Sequence, residues 1–399
     1  MATYIDGVEY PITYKFTNLM KGGLLAELPL NNTTFNLVLN GSGAWNASLN
    51  VENKQTRETN WVAATNVWRT AVWIDIEGTL IYGGPVTGRV YDEAKGTVAL
   101  SGCDFYGYCA HRRQAGNYEA YTDPESHAWA TTGAPVATIA YWLLTQAMAV
   151  PYSIPIEIVA ASQPTPSEFW ITFSAPLQQN QTLETMLTQL HNLGYLVGCD
   201  IAQEVRYVAG VPTVSIGVFY PRRGRTVAES GLVIEGRLGM QYEEDGTQQS
   251  NGVIEQVGGT GATAQESIET FPLQNEEYPL LEQIVSHASV SPTTQSETVL
   301  QAYAKGDLAV YTYPLTTPVV NMAMFDKPSI VDLANVGDNA RLRIAKQAGE
   351  MPNNNPRFPN GLAFDYRTVH IEGIVPDEGK PTMNVTLNIP PSETPITPP

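Results

Sequence analysis

Over residues 1–105, apolar and polar positions alternate with the two-residue period of half-buried strands. Val72-Trp73-Ile74-Asp75-Ile76-Glu77, then Gly78, then Leu80-Ile81-Tyr82 predict a hairpin turned at the glycine. Asp75 and Glu77 alternate with Ile74 and Ile76, so both carboxylates are expected on one strand face and the apolar groups on the other. Gly83-Gly84-Pro85 is expected to end that segment. Gly88-Arg89-Val90-Tyr91 and Thr97-Val98-Ala99-Leu100 flank the turn Asp92-Glu93-Ala94-Lys95-Gly96. Short strands at this spacing predict a barrel or sandwich. Phe105, Tyr108, Cys109 and Arg112 fit one face of a short helix leading out of it.

The pattern then changes period. Ala137 to Val150, bounded by Pro135 and Pro151, predicts a buried helix. Thr182-Leu183-Glu184 opens a second helix, with Leu183, Met186, Leu187, Leu190 and Leu193 in register and Gly194 as a left-handed cap. Strand patterns follow at Tyr195 to Cys199 and Val214 to Tyr220, which makes a small α/β unit. Residues 241–275, rich in Gly, Gln, Glu and Thr, hold one strand candidate, Gly252 to Val257, and read as a return connection. Pro279 is placed as the first residue of a helix carrying Leu280, Leu281, Ile284 and Val285. Another helix begins near Ser296 with Leu300, Tyr303 and Leu308. Strand patterns return at Val319 to Met322, Ala340 to Ile344, Val369 to Glu372 and Met383 to Leu387, before a proline-rich tail, Pro390 to Pro399. The expected organisation is a β-rich α+β chain: a β barrel over 1–110, an α/β insert over 111–240, a connecting strand and helical or mixed region over 241–315, a second β barrel over 316–390, and the tail 391–399.

Composition narrows the function classes. Of 399 residues, 40 are Asp or Glu and 22 Lys or Arg, a formal charge of −18, and 43% are hydrophobic. That is enough apolar material for packed cores. The acidic balance opposes binding to nucleic acid or an anionic membrane face, since the phosphate term needs clustered Lys/Arg. The densest basic run is Arg222-Arg223-Gly224-Arg225. Cys103, Cys109 and Cys199 have neither disulfide-framework nor zinc spacing and read as buried thiols. The N-terminus lacks a basic stretch followed by an apolar one, and Ala134 to Val150 is too short to span a bilayer, so neither a signal peptide nor an anchor is expected.

Candidate chemistry is thin. His111, His127, His191, His287 and His370 contain no i, i+4 pair for a metal, and His191 and His287 suit helix C-termini. Ser101-Gly102-Cys103-Asp104 lacks the glycines of a nucleophile elbow, and Gly258-Gly259-Thr260-Gly261 lacks the Lys-Ser/Thr of a phosphate loop. Asp75/Glu77, Glu243/Glu244/Asp245 and Glu276/Glu277 are neighbours of a kind that an acid-rich chain produces by chance. No cofactor, metal or catalytic residue is expected. Trp45, Trp61, Trp68, Trp73, Tyr82, Tyr91, Phe105, Tyr106 and Tyr108 fit a core or subunit interface better than a sugar-binding face.

Val67-Trp68-Arg69-Thr70-Ala71-Val72-Trp73-Ile74-Asp75-Ile76-Glu77-Gly78, followed by Tyr82-Gly83-Gly84-Pro85-Val86, resembles minor tail proteins of long-tailed actinobacterial phages, of the ReqiPepy type. Leu100 to Tyr108, with the paired Arg112 and Arg113 after it, is similar to the segment that follows in that family. So in style are Tyr278-Pro279-Leu280-Leu281, Ala302-Tyr303-Ala304, Val336 to Leu342, Phe358 to Leu362 and Tyr366-Arg367. Cys103 and the proline-rich end depart from the pattern.

The resemblance implies a tail hub of the baseplate-hub fold: two related β barrels with two α/β or mixed inserts. It implies a non-enzymatic homotrimer at the virion tail tip whose six similar surfaces meet the distal tail protein ring. Further implied partners are the tape measure protein and downstream tail-tip or fibre proteins, with a lumen for DNA passage. A ring of three needs heterologous contacts, and Arg69, Asp75, Glu77, Arg112, Arg113, Asp338, Arg341 and Arg343 are the candidate contact charges. An acidic lumen would repel passing phosphates. The alternatives are a tail-tip module binding cell-wall glycan through the Trp-rich β region, and a tail-associated hydrolase with an acid pair.

Overall fold

The computed structural model describes residues 3–5, 8–113, 134–162, 182–191, 198–220, 222–235, 240–247, 249–257, 265–270, 279–286, 297–312, 315–344 and 362–389. The antiparallel neighbours run Leu30–Val38, Ala44–Asn50, Thr97–Cys103, Thr79–Asp92, Thr70–Ile76, Ile12–Asn18 and Leu24–Glu27. Leu24–Glu27 leads directly into Leu30–Val38, and the Leu28 N–H donates to the Tyr14 carbonyl at 3.2 Å. One bent run therefore pairs with both ends of the sheet and closes it into a barrel. Tyr14, Phe16, Phe35, Trp45, Leu49 and Tyr82 fill its interior, each 2% exposed or less.

The hairpin turns where expected, with Gly78 at φ +82°. Two details of that expectation are corrected. Gly83-Gly84-Pro85 does not end a segment but bends one continuous strand, Thr79–Asp92. A Cβ on Gly84 would stand 2.0 Å from the Cys103 carbonyl oxygen, so the neighbouring strand can approach only glycine there. Nor does Thr70–Ile76 have a polar face, for it is buried along its whole length. Val72, Ile74 and Ile76 face the barrel, whereas Ala71 and Trp73 join a second core on the other side. Glu77 is exposed in the turn at φ 54°.

That second core is the α/β unit. Strand Val211–Tyr220 lies between Glu157–Ser162, parallel, and Asp200–Val208, antiparallel. Helix Val136–Ala149 buries Val136, Ile139, Ala140, Leu143, Leu144 and Ala147, and helix Leu183–His191 buries Leu183, Met186, Leu187 and Leu190. The segment leading out of the barrel is a 3₁₀ helix, Tyr106–His111. Gly194 and residues 195–197 lie outside the described residues; the strand found nearby is Asp200–Val208 rather than one ending at Cys199.

Gly252–Val257 is not a lone connecting strand. It is the centre of a three-stranded sheet, antiparallel to Gln265–Thr270 and parallel to Glu282–Ser286, with helix Glu297–Tyr311 packed against it. The helix expected from Pro279 is thus a strand. Its apolar residues alternate as a strand's do: Leu280 is 56% and Ile284 63% exposed, while Leu281 and Val285 are half-buried. The Asn251 side chain clamps the backbone entering it, accepting from Leu281 N at 2.8 Å and donating to Pro279 O at 2.8 Å. A short apolar run fits either period, and the waiting sheet edge decides it.

The remaining strands repeat the first barrel. Gln241–Asp245, Leu315–Ala323, Thr382–Asn388, Leu362–Val375 and Asn339–Ile344 are antiparallel neighbours in that order. Numbered along the chain, these five and the five of the first barrel from Leu30–Val38 to Thr97–Cys103 both have the order 1-2-5-4-3. In each, a 14-residue fourth strand pairs through its first half with the strand before it and through its second half with the strand after it. In each, that strand carries a bulge at the same point, Thr87 in one and Val369 in the other. Just before it, the same hydrogen bond recurs, from Trp68 N to Val86 O and from Gly337 N to Thr368 O, both at 2.8 Å. The second set differs at its end, where Val233–Glu235 runs parallel to Asn339–Ile344. The protein is a β-rich α+β chain with two related β barrels and inserted mixed units.

Candidate functional site: the junction of the two barrels

The two barrels share one sheet. The second half of Leu362–Val375 pairs antiparallel with the first barrel's Leu30–Val38, His370 opposite Val38 through Val375 opposite Thr33. The Phe35 ring lies on Gly373, where a Cβ would come within 2.4 Å of it. His370 Nε2 meets Asn36 Oδ1 at 3.0 Å, and Leu39 N donates to Val369 O at 3.1 Å.

Beside this seam lies a buried ionic network that joins the α/β unit to both barrels. Asp200 is fully buried and accepts from Asn40 Nδ2 at 2.8 Å, Arg222 Nη1 at 3.1 Å, the Arg223 N–H at 2.7 Å, and Arg367 Nη2. Burial alone would push its carboxyl up, but Arg367 and Arg222 hold it below the usual range. Arg223, 6% exposed, donates to the Val336 carbonyl at 2.8 Å, to Glu204 at 2.9 Å and to Asn335. Arg225 grips Asp338 from Nε and Nη2 at 3.0 and 2.6 Å. A charge placed this deep is tolerated only when paired and hydrogen-bonded, and the buried Asp200, Arg223, Asp338 and Arg367 all are. Arg222 and Arg223 of the basic run are therefore an internal clasp, while Arg225 reaches the buried Asp338 from the surface.

A smaller cluster repeats the theme. Asp75 is 5% exposed and accepts from Lys15 Nζ at 2.8 Å, Gly78 N at 2.8 Å and the Tyr207 hydroxyl. Burial works against its charge, yet Lys15 and Tyr207 hold its carboxyl down. The strand thus hands its single carboxylate to the α/β unit.

Of the predicted contact charges, Asp75 and Asp338 direct their hydrogen bonds inside the chain. Arg112 is half-buried and donates to the Ala147 carbonyl at 2.7 Å, tying the 3₁₀ segment to the long helix. Arg69, Glu77 and Arg113 are exposed. Arg341 and Arg343 are exposed but paired, with Asp365 at 2.6 Å and with Glu235. The structure does not gather these residues into one site. The residues missed by sequence reasoning are Asp200, Arg223 and Arg367; the arginine run was the one available signal.

A cleft of about 290 Å³ opens between the α/β unit and the barrels, lined by Tyr82, Asp104, Gln203, Arg206 and Arg223 among others. Asp104 is raised to about 7 by burial, although Gly43 N, Gly107 N and Ser42 Oγ all donate to it. These are turn-closing bonds. Burial pushes Cys103 and Cys199 up to about 12 and Cys109 higher still, the opposite of an activated thiol. Trp45 and Trp73 are core residues, bonded through Nε1 to Pro85 O at 3.2 Å and Thr17 Oγ1 at 2.8 Å, which removes both from any sugar-facing surface. Among the described residues no helix is long and apolar enough to cross a membrane, and no group of metal-ligating side chains is found.

No protein-family model matches the chain, and no curated protein matches it. Solved structures do. The tail protein from Neisseria meningitidis MC58 superposes with a TM-score of 0.53 at 12% identity, over 97% of this chain and 95% of its own. The 43 kDa tail protein of prophage MuSo2 from Shewanella oneidensis gives 0.56 at 11% identity, over 95% and 98%. Prophage tail protein gp18 from Listeria monocytogenes EGD-e gives 0.54 at 12% identity, over 94% and 94%. At these identities the likeness is one of fold: the chain has the fold of phage tail proteins from end to end.

Proposed function

We propose that the protein is a structural component of a phage tail, a hub in which copies of the chain close into a ring at the tail tip. The observation that carries this reading is the doubled β module: one polypeptide holds two barrels of one strand order, fused along a shared sheet and clasped by buried ion pairs. The likeness to tail proteins over nearly the full length of both chains supports it. A ring of three copies would offer six related surfaces, matching a sixfold neighbour such as a distal tail protein ring, and heterologous contacts close such a ring. On this reading the tape measure protein enters from above, tip or fibre proteins attach below, and DNA passes through the lumen. The actinobacterial, long-tailed setting and the division at residues 110, 240, 315 and 390 belong to the same proposal. So do the exposed Arg69, Glu77, Arg113, Arg341 and Arg343 as charges that meet neighbours. The chain's work is mechanical, without catalysis or cofactor.

The test is a particle lacking the protein. Headed particles without completed tails are expected, together with a trimeric mass for the purified protein. Normal, infectious tails in its absence would end the proposal.

A further inference from the structure

The repeated bulge puts the two barrels in residue-by-residue register. Aligned on Thr87 and Val369, Gly88–Asp92 takes the place of His370–Ile374, and through the ladders that follow, Gln241–Asp245 takes the place of Thr34–Val38. In the second barrel, His370–Ile374 is covered by pairing with Thr34–Val38. In the first, none of the described strands pairs with that edge, and Val90 is 68% and Tyr91 52% exposed; the Arg89 side chain reaches to the Val62 carbonyl at 2.8 Å, and Tyr91 lies beside Trp61 with ring centroids 6.2 Å apart. The strand that would match Thr34–Val38, Gln241–Asp245, ends the sheet at its other extreme. One chain therefore carries both halves of a seam whose internal version it has already made. A long exposed strand edge templates pairing with another chain.

We propose that Gly88–Asp92 of one copy pairs antiparallel with Gln241–Asp245 of a second copy, reproducing the internal seam between subunits with Val90 opposite Glu243. The register inherited from His370–Val38 also sets Gly88 opposite Asp245 and Arg89 opposite Glu244, an arginine position across from a glutamate position. Side chains fall on the correct faces: Val90 and Glu243 are both exposed, as expected of the outer face held in the internal seam by Glu372 and Asn36. The contact is head-to-tail, so each copy gives one edge and receives the other, the condition for a ring. The pairing deepens the ring reading and rests on it only in requiring a second copy.

The experiment is cysteine cross-linking of the purified full chain under mild oxidation. V90C protein mixed with E243C protein is expected to give a covalent dimer, and the V90C/E243C double variant a reducible ladder of linked copies. V90C with E244C is expected to lose that product, because a one-residue slip turns the side chain to the opposite face. An oligomer by light scattering that forms no bond between positions 90 and 243 overturns the seam and leaves the ring standing. A protein that is monomeric and uncross-linked overturns both.

Discussion

Thr70–Ile76 and Asn339–Ile344 hold the same place in the two barrels, and their inner residues correspond: Val72 and Ile74 in one, Ala340 and Leu342 in the other, all buried. Their outer residues differ completely. Trp73 is packed at 5.2 Å from Phe105 beneath the α/β unit, whereas its counterpart Arg341 lies in solvent beside Asp365. Asp75 is sealed under Lys15 and Tyr207, and its counterpart Arg343 is exposed beside Glu235. The inner face defines the barrel and is conserved in character between the two halves of this chain. The outer face is written by whatever covers it, and the α/β unit covers this strand face only in the first barrel.

The largest expected effect falls where the covering unit meets both barrels. Asp200→Ala leaves the guanidiniums of Arg222 and Arg367 and the Arg223 backbone N–H without their shared carboxylate, and removing one partner of a buried pair costs about 3–5 kcal/mol. We expect the upper end of that range in denaturant unfolding, with the α/β unit released first in hydrogen exchange. Protection lost uniformly across the chain would show that the network supports the whole fold and is not a local clasp. Trp73→Ala comes next. Truncating a buried Trp costs about 3–5 kcal/mol, and here a lost hydrogen bond to Thr17 is added while Phe105 and the helix partly collapse into the space. A loss no larger than that of an exposed residue would mean that the α/β unit does not bear on the first barrel.

Much of this architecture was legible from residue order. Strict alternation marks Ala340 to Ile344 and Met383 to Leu387 because one face is wet, and the spacing of Leu300, Tyr303 and Leu308 marks Glu297–Tyr311 because one stripe is buried. What could not be read was any feature decided by a distant segment. The environment of Asp75 depends on Tyr207, and the fate of Glu282–Ser286 depends on a sheet edge at Gly252–Val257. The ion network is built from Asp200, Arg223 and Arg367, whose proximity no local pattern encodes. The duplication is equally hidden. Paired positions such as Trp73 and Arg341, or Tyr91 and Gly373, share a backbone role and no chemistry.

A third expectation sets two buried carboxylates against each other. Asp200 is held below the usual range by its arginines, so its contribution is present at neutral pH and lost as pH falls through its folded value. Glu255, on the central strand of the separate three-stranded sheet, is fully buried and is pushed up to about 7 by that burial, against a hydrogen bond with Asp307. The folded state keeps its proton between the ordinary value of 4.5 and about 7 while the unfolded chain has lost it. Stability therefore falls as pH rises through that window, by on the order of 3 kcal/mol. Glu255→Gln should remove the slope and raise the urea midpoint at pH 8 relative to the parent. An unchanged slope would place the titration on another group.

The smallest effect completes the contrast at matched positions. Arg341→Ala removes the counterpart of Trp73, but its ion pair with Asp365 is half in water, with side-chain exposures of 48% and 39%. Such pairs gain little because solvent screens the charges and holding two long side chains costs rotamer freedom. The melting midpoint of the isolated protein should not move resolvably, although Trp73→Ala at the equivalent strand position lowers it steeply. Arg341 can still matter in an assembly, where a neighbour would dry the pair and sharpen its energetics. The decisive comparison is thus between the midpoint of the single chain and the salt dependence of the oligomer's mass in Arg341→Ala and parent. A change in the second without the first assigns Arg341 to contact between copies. A drop in the first would show that the second barrel's outer face, bare as it is, already carries part of the fold.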